Sequence, residues 1–156
     1  MSETRDQSFM QLALAEAQAA AEAGEVPVGA IIVDPATDMV IAAAGNAPIA
    51  GHDPTAHAEI RAIRMAAEQL GNYRLSGLEL FVTLEPCAMC AGAISFARIG
   101  RLVFGAGDEK GGAVEHGPQF FNQPTCHWKP ELVSGVLSEP STNLLKSFFR
   151  ARRKGT

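Results

Sequence analysis

Cysteine is scarce here, with three in 156 residues, and two of those, Cys87 and Cys90, are close neighbours. So few cysteines do not make a disulfide framework. Long apolar runs are missing too. No stretch approaches the roughly 20 residues that span a bilayer, and the alanine-rich run near the start is broken by Glu16, Gln18 and Glu22. The opening MSETRDQSF lacks the basic start and apolar core of a secretory signal, so a cytoplasmic location is the expectation. Basic residues are almost absent from the first sixty positions, where Arg5 stands alone against nine acids, and the net charge is −4. By itself that balance argues against a nucleic-acid partner. The rest of the chain reverses it, with twelve basic residues against eight acidic, five of them between Lys146 and Lys154. This basic end suits an acidic partner; it also suits a solvated helix end whose cations complement the macrodipole.

What remains is ordinary for a water-soluble globular chain: 47% hydrophobic and 19% charged residues. The length fits one domain, residues 1–156, with a full-sized core. Hydrophobic periodicity predicts a helix over 4–23, ended by Gly24. VPVGAIIVD (26–34) reads as a central strand buried on both faces, and MVIAAAG (39–45) returns as its hairpin partner. A loop covers 46–54, and a helix follows from about Thr55 to Leu70. LELFVTL (78–84) is a strand, Pro86 to about Ile99 a helix, and RLVFGA (101–106) a strand. Residues 107–130 form a long loop of the functional kind. LVSGVL (132–137) is a weaker last strand, and Pro140-Ser141 introduce a helix over about 141–153. Alternation of this kind builds an α/β layered domain on a mixed sheet.

Two motifs open helices. In PCAMC, Cys87 and Cys90 lie three apart at a helix start, which places both sulfurs on one face. Pro86 suits the first turn, and the exposed N–H groups there favour thiolates. Such a pair makes two metal ligands; a redox couple is the rival reading, although no other thioredoxin-like feature accompanies it. In HAE, His57 and Glu59 would point about 200° apart inside a helix, so they can share a site only at its first turn, with Asp53-Pro54-Thr55 as a plausible cap. His57, Cys87 and Cys90 make three donors and leave a fourth position for water, the pattern of a catalytic zinc. A structural site closed by Cys126, His127, His116 or His52 is the alternative, but it leaves Glu59 without a task. Beside an open site, Glu59 can move protons between water and a substrate nitrogen.

H-A-E followed by P-C-A-M-C resembles the signature of the zinc-dependent nucleoside and nucleobase deaminases. EVPVGA (25–30), GHDPTAHAEI (51–60), NYRL (72–75), VTLEPCAMCAGAI (82–94), RIGRLVFGA (98–106) and FFRARR (148–153) extend the resemblance, over nearly the whole chain, to the bacterial tRNA-specific adenosine deaminases. The resemblance implies a three-layer α/β/α cytidine deaminase-like fold with a central mixed sheet, one Zn2+ per chain and a homodimer. It implies conversion of adenosine to inosine at the wobble position of a tRNA anticodon stem-loop, with water activated at the metal attacking C6 of the flipped base and ammonia leaving. His57, Cys87 and Cys90 carry over as ligands and Glu59 as proton shuttle. Asn46 and Ala58 carry over as contacts to the target base, Asp108 as an RNA-backbone contact, and Phe149 as an aromatic bordering the anticodon. Arg150, Arg152 and Arg153 carry over as phosphate contacts. Leu144, Leu145, Phe148 and Phe149 would form the apolar face of the last helix, leaving Lys146, Arg150 and Arg153 outward. The small residues Ala91, Gly92, Ala93, Ile94 and Ala97 would permit close packing of two copies, or serve the core. Residues 111–128 depart from the expected Gly-Ala-x-Gly-Ser turn, so no role is carried into them. A deaminase of free guanine or cytosine compounds shares the zinc motif; the basic C-terminus favours RNA over it. A non-catalytic zinc subunit would not need Glu59.

Overall fold

The apolar segment GAIIVD forms β1 (Gly29–Asp34), central enough that all but its last residue are buried. A computed structural model describes residues 2–155 and the side chains of residues 5–153. The Lys154 side chain, counted above in the basic end, lies outside the described residues. Around β1 a sheet of five strands is ordered β2-β1-β3-β4-β5. β2 (Met39–Gly45) and β3 (Glu79–Leu84) run antiparallel to β1, whereas β4 (Arg101–Ala106) and β5 (Glu131–Val133) run parallel to β3. The sheet is therefore mixed, as expected.

Helices cover both faces. α2 (Ala58–Leu70) and α3 (Ala88–Ala97) bury Ala58, Ala62, Ala66, Ala91 and Ile94 against Ile32, Leu80, Val82 and Phe104. On the other face α1 (Ser2–Glu22) packs Met10 and Ala13 on Ile31, Val33, Phe81 and Val103, with α4 (Ser138–Gly155) beside it against β3 and β4. This is the three-layer α/β/α architecture. Side-chain size decides how close α1 can lie. A Cβ at Gly29 would overlap the Ala13 carbonyl, and one at Gly45 would approach the Glu16 carbonyl to 2.7 Å. Two glycines in adjacent strands thus give the helix a flat seat.

Element ends differ from expectation where local chemistry intervenes. Val26 to Val28 precede β1 outside the strand, with the Val28 N–H bonded back to the Val26 carbonyl at 2.8 Å. The last strand stops at Val133, and Gly135, with φ of +81°, turns the chain towards α4. α4 begins at Ser138, ahead of the Pro140-Ser141 pair, because proline is tolerated in a first helical turn. The long loop after β4 holds one 3₁₀ turn, Phe120–Asn122, whose Phe121 is buried.

The end of the sheet away from the metal-site motifs is closed by ions. Arg101 donates to Asp6 at 2.5 and 2.9 Å and to Glu79 at 2.9 Å, while Arg5 reaches Glu79 at 2.6 Å and Asp38 at 2.9 Å. Asp6 and Glu79 are almost wholly buried. Much of the acidic charge of the first sixty residues is therefore paired or buried. Asp6 and Asp38 are committed to arginines, and Glu25 and Glu59 are buried elsewhere.

Candidate active site

Both motif helices point their first turns to one place. His57 is the N-cap residue of α2 and Cys87 that of α3, both in extended conformation and neither capping with its own side chain. That corrects the expected start at Thr55. Asp53 instead accepts from the Thr55 N–H and hydroxyl at 2.9 and 2.7 Å, which forms the turn that delivers His57. The side-chain oxygen of Asn46 then accepts from the Ala58 N–H at 2.9 Å, satisfying a helix-end donor from a different segment of chain.

His57 Nδ1 lies 3.6 Å from Cys87 Sγ and 3.5 Å from Cys90 Sγ. A tetrahedral zinc, at about 2.3 Å from sulfur and about 2.0–2.1 Å from nitrogen, holds S and N about 3.6 Å apart. The donors are therefore already at metal-binding separation. They are the one such group of three or more among the described residues. Cys126 is elsewhere, bonded to the Trp128 carbonyl at 3.1 Å and near Ser95 Oγ at 3.7 Å, and His52, His116 and His127 do not join the cluster. A site closed by a fourth protein donor is thus not formed. All three cysteines are free thiols.

The electrostatics suit thiolate donors and a proton carrier. Of the two coupled thiols Cys87 ionises first. The hydrogen bond from Cys90 holds it down at about 5, with help from the Cys90 N–H and His57, against the opposing effect of burial. Glu59 is buried in the first turn of α2, and burial pushes its carboxyl up to about 7. It hydrogen-bonds with the Cys90 thiol. A carboxyl near neutrality beside a metal position can hold and release protons at physiological pH.

Two loops rise beside this floor. Residues 46–56 follow β2 and carry Asn46 and, at their base, buried Ala56 before His57. The buried carboxylate of Glu25 accepts the Ile49 and Ala50 N–H groups at 3.2 and 2.8 Å and holds this loop. Residues 107–117 follow β4 and carry Asp108. The carboxylate of Glu85 holds them, and on its own burial would raise its pKa. The Asp108 N–H, the His116 ring and the N–H groups of Glu115 and His116 outweigh that and keep it at about 2. Neither Glu25 nor Glu85 was identified from the sequence. The available signal was an acid at the edge of an apolar strand, before VPVG in one case and after FVTL in the other.

The residues expected to contact RNA separate into two groups. Asp108, Lys146, Phe149, Arg150 and Arg153 line one groove of about 910 Å³ between the 107–117 loop and α4. No zinc donor lines it. Phe149 also borders a smaller cavity, of about 230 Å³, with Asn46 and Arg152. Phe149 is 43% exposed, which corrects its place in the apolar face of the last helix; Leu144, Leu145 and Phe148 are the half-buried ones. Arg152 differs from its neighbours. It donates to the Gly24 carbonyl at 2.9 Å and stacks over Phe148 at 5.2 Å, tying α4 to the turn after α1. On α3, Ala91, Ile94 and Ala97 are buried in the core, while Gly92 and Ala93 are half-buried.

Three donors with an open position, beside a buried carboxyl on an α/β/α scaffold, define a hydrolytic zinc centre. Residues 3–106 match the cytidine and deoxycytidylate deaminase zinc-binding region. The tRNA-specific adenosine deaminase of Agrobacterium fabrum is 57% identical over 93% of this chain and 94% of its own length. A solved structure from biochemical and structural studies of A-to-I editing by tRNA:A34 deaminases at the wobble position of transfer RNA aligns with a TM-score of 0.86. It is 56% identical and covers 88% of this chain and 99% of that one. The guanine deaminase of Nitrosomonas europaea aligns with a TM-score of 0.80 at 24% identity, over 91% of this chain and 83% of that one, and shares the fold. The chain belongs to the cytidine and deoxycytidylate deaminase family and, within it, to the tRNA-specific adenosine deaminases.

Proposed function

We propose that this protein converts adenosine to inosine at the wobble position of a tRNA anticodon. The observation that carries the reading is the full-length kinship to tRNA-specific adenosine deaminases combined with an intact donor set and buried Glu59. His57, Cys87 and Cys90 hold one zinc ion. When bound, the ion supplies Lewis acidity that makes water a nucleophile near neutral pH. Glu59 takes one proton from water and delivers it to the purine ring nitrogen as the oxygen bonds to C6. It then moves the proton of the new C6 hydroxyl to the amine, the C6–N bond breaks, and water is consumed and ammonia released. The Asn46 side-chain oxygen is engaged by Ala58 N–H, which leaves its amide N–H groups to face the base. Ala58 is wholly buried at the tip of α2, so it supports the purine site from within the core.

Asp108 and Phe149 flank the anticodon loop as it enters, and Arg150 and Arg153, with Lys146, face phosphates across the groove. Arg152 contributes through one edge of its guanidinium while the other holds Gly24. We further read residues 1–156 as one domain, working in the cytoplasm as a homodimer. No described helix is long and apolar enough to cross a membrane. The exposure of Phe96 (75%) and Met89 (38%) on the outer face of α3 supports pairing of two copies. Sequencing tRNA after incubation with the protein tests the reading, because inosine is read as guanosine. Wobble adenosines changing to guanosine is the expected result; tRNA left unchanged, with free guanine consumed instead, would replace it with the small-molecule alternative.

A further inference from the structure

Glu85 stands at the end of β3, between Leu84 and Pro86, and its side chain is wholly buried. It is not one of the zinc donors. One carboxylate oxygen accepts the N–H groups of Val114, Glu115 and His116 at 3.0, 2.8 and 3.1 Å. The other accepts the Asp108 N–H at 2.9 Å and bonds His116 Nδ1 at 2.6 Å. Both ends of one loop therefore converge on one side chain. Two further observations point to the same latch. The Ala113 N–H donates to the Pro86 carbonyl at 2.9 Å, next to Cys87. A Cβ at Gly112 would overlap the Glu85 carboxyl group and lie 2.5 Å from the Asp108 carbonyl, so glycine there makes room for the latch.

We propose that Glu85 is a positioning residue for the RNA: it fixes the 107–117 loop as the wall opposite α4, so that tRNA meets Asp108 and Lys110 already in place. His116, in the segment that departs from the family pattern, completes the latch from the loop side. The inference rests on the tRNA reading above. An ordered loop spares the complex the entropy of ordering it on binding, so the effect belongs in substrate capture and not in the chemical step.

Kinetics on an anticodon stem-loop RNA, with zinc per chain measured for every variant, test this. Glu85→Gln keeps the size but presents N–H where an oxygen now accepts. It is expected to raise KM about tenfold, with kcat within about threefold of wild type and zinc unchanged. His116→Ala, which leaves β3 intact, should raise KM about threefold. Adding Asp108→Ala to Glu85→Gln should raise KM no further than the larger single change, because both act through one loop. A fall in kcat at constant KM, loss of zinc from Glu85→Gln, additive effects in the double variant, or an unchanged KM in His116→Ala would each overturn the proposal. If Glu85→Gln does not fold, His116→Ala decides. Wild-type protein that makes no inosine would instead sink the tRNA reading itself.

Discussion

The floor of the site and its two walls are each built on a buried glutamate, and the same residue type does different work in the two regions. Glu59 on the floor, and Glu25 and Glu85 under the walls, are all 3–4% exposed. On the walls the carboxylates meet backbone N–H groups, two at Glu25 and four at Glu85. At Glu85 such donors stabilise the charged form, and it sits at about 2. On the floor desolvation wins, and Glu59 sits at about 7. Burial alone does not assign a role. The partners decide whether a carboxylate is a fixed acceptor or a proton carrier.

This contrast yields experiments in descending order of effect. Glu59→Ala should keep fold and zinc and lose at least roughly 10² to 10⁴-fold in kcat, the scale of a positioned acid–base group. Near-normal turnover would erase the distinction between floor and walls. Cys126→Ser should retain its zinc whereas Cys87→Ser should not, because Cys126 is bonded to the Trp128 carbonyl away from the donor cluster; metal analysis of the two proteins checks it. Glu25→Gln should raise KM for tRNA by about threefold, less than Glu85→Gln, since fewer N–H groups depend on Glu25. Equal KM changes in the two would mean that the count of donors does not set the importance of a wall.

The smallest effect concerns pH. The hydrogen bond to Glu85, assisted by the charges of Glu85, Glu109 and Glu115, raises the pKa of His116 above its usual 6.5. A raised folded-state pKa contributes stability that is fully present below about 6.5 and is lost as pH rises through the folded value. The difference in Tm between wild type and His116→Ala should therefore shrink as pH is raised across that window. A difference that is constant or grows would show that the ring acts there only as a neutral donor.

The floor was legible in the sequence because its chemistry is local. His57 and Glu59 sit in one helical turn, Cys87 and Cys90 in another, and each spacing has few uses. The sheet was equally readable: apolar runs such as RLVFGA and MVIAAAG coincide with β4 and β2. The walls were not legible because what holds them is distant in sequence. Glu25 reaches Ile49 and Ala50, and Glu85 reaches residues 108 and 114–116; no periodicity records a carboxylate accepting from a loop some thirty positions on. The same applies to the far end of the sheet, where Arg101 meets Asp6. The second task of Arg152 was hidden for a related reason. Basic residues near a helix C-terminus look alike in sequence, and only packing shows that one of them holds Gly24 and Phe148.

In the proposed reaction the zinc centre, with Glu59, adds water to an adenosine presented by tRNA. Reaction of tRNA in heavy-oxygen water, followed by digestion to nucleosides and mass spectrometry, addresses it directly. Inosine carrying the heavy oxygen at C6, formed by wild type and not by Glu59→Ala, is the expected product. Inosine without the label, or label appearing equally with Glu59→Ala, would contradict it.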